Sequence, residues 1–173
     1  SSLVRAVVVA VVAVAAIGAP PAAAECRRGG RGTPIYRSQV APAQPVAPGE
    51  TTTVQTQTLS IYVDGRWTWL GAAPADSNDA MGRGGCVPTA ALRELTRAVA
   101  RARFAYAPGN TCDALAVVRT THAAPRRRAQ IVVESPCGPG LDPTTAALVA
   151  CADAVTEPRP PTGAALRAIC RGR

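Results

Sequence analysis

The chain has 173 residues, 47% of them hydrophobic and 17% charged, and carries a formal net charge of +8 at neutral pH. That length suits one domain of ordinary size rather than two. All nineteen basic residues are arginine in a chain rich in alanine, glycine, proline and valine, the usage of a GC-rich genome, so arginine content alone is no nucleic-acid signature.

Leu3 to Ile17 is almost wholly apolar, with Arg5 near its start, and Ala22, Ala23 and Ala24 follow Pro20 and Pro21. A positive start, an apolar stretch and a small-residue cleavage site are the parts of a secretory signal. The uninterrupted stretch from Ala6 to Ala19 is shorter than the ~20 residues of a spanning helix. We therefore expect a signal peptide over residues 1–24, a mature start at Glu25, and no stable membrane insertion after cleavage. Glu25 stands where a lipobox wants a small residue, which argues against lipidation of Cys26.

Residues 25–49 read as a flexible tail and linker: "CRRGGRGTPIYR" is basic and glycine-rich, and "APAQPVAPG" is a Pro/Ala spacer. An α+β domain is expected over 50–157, followed by a Pro-rich turn and short helix over 158–173. "TTTVQTQTLSIYV" and "RWTWLG" alternate around Asp64-Gly65 and predict a β-hairpin. A two-residue turn would set Trp67 and Trp69 on a face with Ser60 and Tyr62. A three-residue loop over Val63-Asp64-Gly65 sets Ile61 opposite Trp67 and Leu59 opposite Trp69. The second register sorts apolar from polar side chains better, so we place both tryptophans on the helix-facing side; an exposed aromatic platform is the alternative.

"APADSNDAMGRGG" reads as a loop. A helix is expected from Pro88-Thr89 to about Phe104, with Leu92, Leu95, Val99 and Ala102 on one face. "TCDALAVVRTTH" and "AQIVVESPC" read as strands around the tip "AAPRRR". Asp142 is a good N-cap and Pro143 suits the first turn of a second helix, with Leu148, Cys151 and Val155 inward. A final helix near Ala164 to Cys170 docks through Leu166 and Ile169. The order predicts an α+β two-layer sandwich: an antiparallel sheet of about four strands (ββαββα) with two helices on one face, stapled by disulfides.

The six cysteines, Cys26, Cys86, Cys112, Cys137, Cys151 and Cys170, all follow the expected cleavage site. An even count in an exported chain predicts disulfides, and the absence of close pairs argues against zinc. Centring the second hairpin between Ala124 and Pro125 pairs Thr120 with Ala129 and Val118 with Ile131. The same register sets Cys112 opposite Cys137, which predicts that disulfide. The other four allow three pairings, of which Cys86–Cys151 with Cys26–Cys170 is taken.

No catalytic set, cofactor or metal site is expected. The single histidine, His122, lies near the hairpin tip and reads as a solvated turn residue. "GRGGC" lacks the lysine of a phosphate loop. Asp76, Asn78 and Gly82 have partial calcium-loop spacing, but Ala80 and Val87 stand where ligands are needed. Arg126, Arg127 and Arg128 are the candidate binding residues, able to meet an acidic surface or polymer. No aromatics interleave with them, so no specific nucleic-acid binding is expected.

The hairpin "LSIYVDGRWTW", the helix "LRELTRAVARARF", the return strands "CDALAVVRTT" and "AQIVVES", and "DPTTAALVACADAV" resemble the emfourin-type protease inhibitors over Leu59 to Val155. The resemblance implies a ββαββα fold and binding to a metalloprotease; it carries no inhibitory residue across. The expected function is a secreted, periplasmic or extracellular non-catalytic binding module, in the inhibitor form with an extracellular protease as partner. The alternative is an envelope-associated structural or adhesive protein that contacts acidic polymers through its arginines.

Overall fold

The computed structural model describes Cys26 and residues 32–44, 55–71, 81–108 and 116–173, so the expected signal segment lies outside the described residues. Six strands are described: β1 (Tyr36–Pro42), β2 (Gln57–Ile61), β3 (Arg66–Gly71), β4 (Met81–Cys86), β5 (Val118–Ala124) and β6 (Ala129–Ser135). The helices are α1 (Thr89–Arg101), α2 (Pro143–Val155) and α3 (Gly163–Arg171). The sheet is antiparallel throughout, in the order β4-β3-β2-β1-β5-β6. The class is α+β as expected, but the sheet has six strands rather than about four.

One extra strand comes from the segment read as a flexible tail. β1 runs between β2 and β5, at the centre of the sheet. Tyr36 is fully buried, Arg37 and Gln39 are exposed, and Ser38 and Val40 are half-buried. This is the period-two alternation of a half-buried strand. Its basic and proline-rich flanks conceal it in the sequence. The other extra strand, β4, holds Gly82, Gly84 and Gly85 and reads as a loop in the sequence. Glycine is a poor strand former, and what holds it there is described below with the site.

Hydrophobic burial joins the layers on one face of the sheet. Tyr36, Ile61 and Ala124 meet Leu95, Ala98 and Val99 of α1, Leu148, Ala152 and Val155 of α2, and Leu166 of α3. The inward stripe expected for the second helix is the one observed, with Leu148 and Cys151 fully buried.

The first hairpin has the three-residue register. Ile61 lies opposite Trp67 and Leu59 opposite Trp69. Gly65 takes φ +85, and a Cβ there would come within 2.9 Å of the Val87 carbonyl oxygen. Only glycine fits that bulge without strain. The second hairpin departs from expectation. Val118 pairs with Ser135 and Thr120 with Val133. Pro125 opens a 3-10 turn over Pro125–Arg127, and Arg128 takes a left-handed conformation at φ 55. The turn therefore occupies Pro125 to Arg128 rather than centring on Ala124-Pro125. The slip is even, so every side chain keeps its face, but the register argument that set Cys112 opposite Cys137 falls. Cys137 is disulfide-bonded, and Cys112 lies outside the described residues.

The remaining bonds correct the pairing taken from the sequence: they are Cys26–Cys86 and Cys151–Cys170. Cys26 is brought beside the end of β4 rather than to the C-terminal helix. α3 packs on α2 and sets Cys170 within a Cα–Cα distance of 4.5 Å of Cys151.

The joint between α1 and α2 is polar. Asp142 Oδ1 accepts from Thr144 N at 3.0 Å, and Oδ2 accepts from the Thr145 hydroxyl and from Ala105 N at 3.3 Å. Thr145 Oγ1 in turn accepts from Phe104 N at 2.9 Å. One N-cap therefore fixes both the start of α2 and the chain leaving α1. Burial pushes the Asp142 carboxyl up, but hydrogen bonds from Thr144, Thr145 and Ala105 outweigh it and hold the pKa at about 2. The ordinary value is 3.8, so this carboxylate stabilises the fold fully above that pH and progressively less as pH falls through about 2. Asp142→Ala should cost about 1–3 kcal/mol near neutral pH. The difference from wild type should shrink across that acid window, as read by urea unfolding at a series of pH values.

Candidate functional site

Two cross-strand rows run along the helix-facing side of the sheet. One joins Arg83, Trp69, Leu59, Ser38, His122 and Ile131. The next joins Gly85, Trp67, Ile61 and Tyr36. At the β3–β4 end these rows pass beyond the packed core. There they floor an open groove of about 540 Å³, with Trp67, Trp69 and Leu59 below and Asp153, Glu157 and Pro158 above.

The glycines of this region make room for the indoles. A Cβ on Gly85 would come within 2.8 Å of Trp67 Nε1, and one on Gly71 within 2.6 Å of Trp69 Cη2. Each ring therefore lies on bare backbone. Trp67 covers Gly85 of β4 and supplies burial that the strand lacks in its own side chains, while Trp69 lies on Gly71 of its own strand. Trp67 also packs against the core, half-buried. Trp69 is half-buried too, and the Arg83 guanidinium sits 4.8 Å from its ring centroid. The tryptophans share the helix-facing side with Leu59 and Ile61, as the register predicts. Trp69 is at the same time a wall of an open cleft, which gives the platform alternative a share.

The upper lip is acidic. Asp153 lies in the last turn of α2, which holds no basic residue, and Glu157 follows just beyond the helix end. Both features are unfavourable: the two nearby like charges repel, and a helix C-terminus favours cations. Partial desolvation raises the Asp153 pKa, and the charge of Glu157 raises it further. The ion pairs among the described residues are Arg97–Glu94 and Arg119–Glu134, and neither involves these carboxylates. Two unpaired acids facing an aromatic floor can hold a cation by charge and by the ring face together. The sequence carries this signal in two acids, Asp153 and Glu157, close together at a helix end without arginine.

The residues singled out from the sequence are not brought together. His122 is buried in β5, not solvated in a turn, and its Nδ1 lies 2.9 Å from the Tyr36 hydroxyl. Burial lowers the His122 pKa; it raises that of Tyr36, to which the charge of Asp153 adds. Both are neutral partners within the fold. Arg127 is not a free tip residue. Its Nη1 donates to the Val99 carbonyl and, at 2.9 Å, to that of Ala102, which caps the C-terminal end of α1. Arg126 and Arg128 are exposed. Gly82 belongs to β4, while Asp76 and Asn78 lie outside the described residues. Among the described residues no group of three or more His, Cys, Asp or Glu side chains is placed to hold a metal ion, and no helix is long and apolar enough to cross a membrane.

These features define a disulfide-stapled α+β domain with an aromatic, acid-lipped groove. No known protein family matches the chain, and no curated protein or solved structure shows significant similarity to it.

The Asp153 carboxylate should destabilise the fold when ionised. A raised folded pKa means that this cost is present at neutral pH and vanishes as pH falls below the ordinary carboxylate value of 3.8. Asp153→Asn should therefore stabilise the protein at neutral pH by about 0.2–1 kcal/mol, the size of a solvent-screened charge interaction. At acid pH it should have no effect. Urea midpoints of both proteins at neutral and acid pH measure the difference.

Proposed function

We propose that this protein is a secreted, non-catalytic binding module that holds a basic side chain of a protein partner in the Trp67–Trp69 groove. The observation that carries the reading is the acidic lip: among the described residues Asp153 and Glu157 stand without an ion-pair partner at the unfavourable end of a helix, opposite an aromatic floor. A guanidinium or ammonium group there would pair with the carboxylates and lie against an indole. Arg83 already rests on Trp69, which supports the fit of such a group to that ring. The disulfides among the described residues fit an oxidising compartment. An extracellular protease is the partner that the emfourin resemblance implies, and the protein would then act by stoichiometric inhibition.

Tryptophan fluorescence tests the reading. An arginine-containing peptide should change the emission saturably and in a salt-sensitive way, and the same peptide with citrulline should not. The double variant Asp153→Asn/Glu157→Gln should lose the response and, in the inhibitor form, the inhibition of a secreted metalloprotease. Equal responses to arginine and citrulline peptides would exclude a cation site.

The second reading, adhesion to acidic envelope polymers, draws on the exposed Arg126 and Arg128 and the net charge of +8. It predicts salt-sensitive retention on the cell envelope that is unchanged in the acidic-lip variant and lost in Arg126→Ala/Arg128→Ala.

A further inference from the structure

β4 is an edge strand whose outer side is open among the described residues. Val87 N donates to the carbonyl of Gly65, the residue that the β3–β4 register sets opposite it. In an antiparallel pair such hydrogen-bonded positions alternate with positions whose N–H and C=O turn away. Arg83 and Gly85 therefore bond to β3, while Gly82, Gly84 and Cys86 turn their backbone groups outward. The Cys26–Cys86 bond occupies one end of this series, which leaves Gly82 to Gly84 as the open length. Gly82, Arg83 and Gly84 are all exposed. The opposite edge differs: at β6 the Tyr106 hydroxyl donates to the Val132 carbonyl at 2.7 Å. Native sheets cover their edges or charge them. β4 has only Arg83, whose guanidinium is folded onto Trp69.

Both faces of the sheet offer something to a strand added here. On the helix side, Arg83 and Gly84 line the tryptophan groove, so the groove begins at the edge. A strand residue opposite Gly85 meets no side chain on β4 and comes next to the Trp67 ring that covers that glycine. Asp153 and Glu157 line the same groove. On the other face, Leu70 is 54% exposed, and its Cδ2 lies 3.4 Å from where a Gly82 Cβ would be. A strand residue opposite Gly82 extends that cross-strand row and covers Leu70. Gly85 and Gly82 are an odd number of residues apart, so the two added side chains face opposite sides. A second copy of this chain fits less well. Its most fully paired register, two-fold about Gly84, sets the two Arg83 residues on one diagonal, about 7–8 Å apart. Each copy also carries a net charge of +8.

We propose that β4 receives an extended segment of a partner protein as a further antiparallel strand, with a basic residue opposite Gly85 and an apolar residue opposite Gly82. The basic position rests on the proposed binding of a cation in the tryptophan groove; the strand pairing rests on the open edge alone. Backbone bonds to Gly82 and Gly84 supply affinity, and the two side chains supply selectivity. The bare glycines let the added backbone come close. The basic side chain then reaches the acidic lip, which gives this edge a charge preference that the arginine-rich chain itself does not satisfy.

The probe is the peptide acetyl-Thr-Arg-Thr-Thr-Val-amide, with arginine for the Gly85 position and valine for the Gly82 position. It is titrated into the whole protein and followed by ¹H–¹⁵N NMR and amide hydrogen exchange. Binding should saturate, and the Gly82 and Gly84 amides should gain protection. N-methylation of the threonine after arginine, whose N–H faces Gly84, should weaken binding at least about tenfold, the loss of one backbone hydrogen bond. N-methylation of the next threonine, whose N–H points away from β4, should change binding by less than about threefold. Gly82→Pro removes an outward N–H without costing a bond inside the sheet and should also weaken binding. Equal effects of the two N-methyl groups, no saturable binding, or no protection at Gly82 and Gly84 would overturn the proposal. So would a dimer of the protein alone with Gly84 already protected, which puts a second copy on the edge. The citrulline peptide separates this result from the groove reading. Protection at Gly84 with equal affinity for arginine and citrulline removes the cation and keeps the strand; an arginine preference indifferent to N-methylation does the reverse. If Gly82→Pro does not fold, the two N-methyl peptides on the wild-type protein still decide it.

Discussion

Trp67 lying on Gly85 of β4 holds the outer edge of this sheet, and with Trp69, which lies on Gly71 of its own strand, it floors the groove. β4 has almost nothing to bury on its own account. Gly85 and Gly71 leave the backbone bare where Trp67 and Trp69 come down, and no larger residue fits beneath either ring. Burial of Trp67 replaces side-chain packing that the strand lacks. The Cys26–Cys86 bond fastens the far end of the same strand. The rings then serve two purposes. Trp67 packs against the core that holds Ile61, and Trp69 walls the open cleft.

The two ends of α2 show where stability governs and where it yields. The N-terminus follows every rule for a helix start: Asp142 caps it, Pro143 occupies the first turn, and Thr145 passes the hydrogen bonding on to Phe104. The C-terminus breaks them, with Asp153 and Glu157 repelling each other where a cation is wanted. Such local conflicts concentrate at functional sites, where fold stability is traded for a poised group. Glu94 is a second conflict of the same sort, an acid on the apolar face of α1. Arg127 shows the converse: a residue conspicuous by charge is used to close the end of α1.

The sequence made legible what depends on local chemistry. Gly65 with its aspartate neighbour fixed the three-residue turn, and that turn fixed which residues face Trp67 and Trp69. The cap and stripe of α2 were equally local. What escaped depends on distant partners. β1 looks like a basic tail because its pairing residues lie in β2 and in β5. β4 looks like a loop because its support comes from a ring on another strand. His122 looks solvated because Tyr36, which buries with it, belongs to a strand that was not foreseen. The second hairpin slipped because Pro125 begins a helical turn instead of ending a strand. Half of the groove was readable, namely the tryptophans and Leu59. The acidic lip was not read, since the position of α2 over β3 is a matter of tertiary packing.

The packing of the indoles on glycine can be measured without any ligand. A proton held against the face of an aromatic ring is shifted upfield by the ring current. The account predicts strongly upfield Hα signals for Gly71 and Gly85 in the ¹H NMR spectrum. It also predicts nuclear Overhauser contacts from Gly71 Hα to the Trp69 benzo ring and from Gly85 Hα to Trp67 Hε1. Glycine Hα signals at ordinary positions, with no contact to either indole, would contradict it: β4 would then lack the support of Trp67 at Gly85, and the groove its floor.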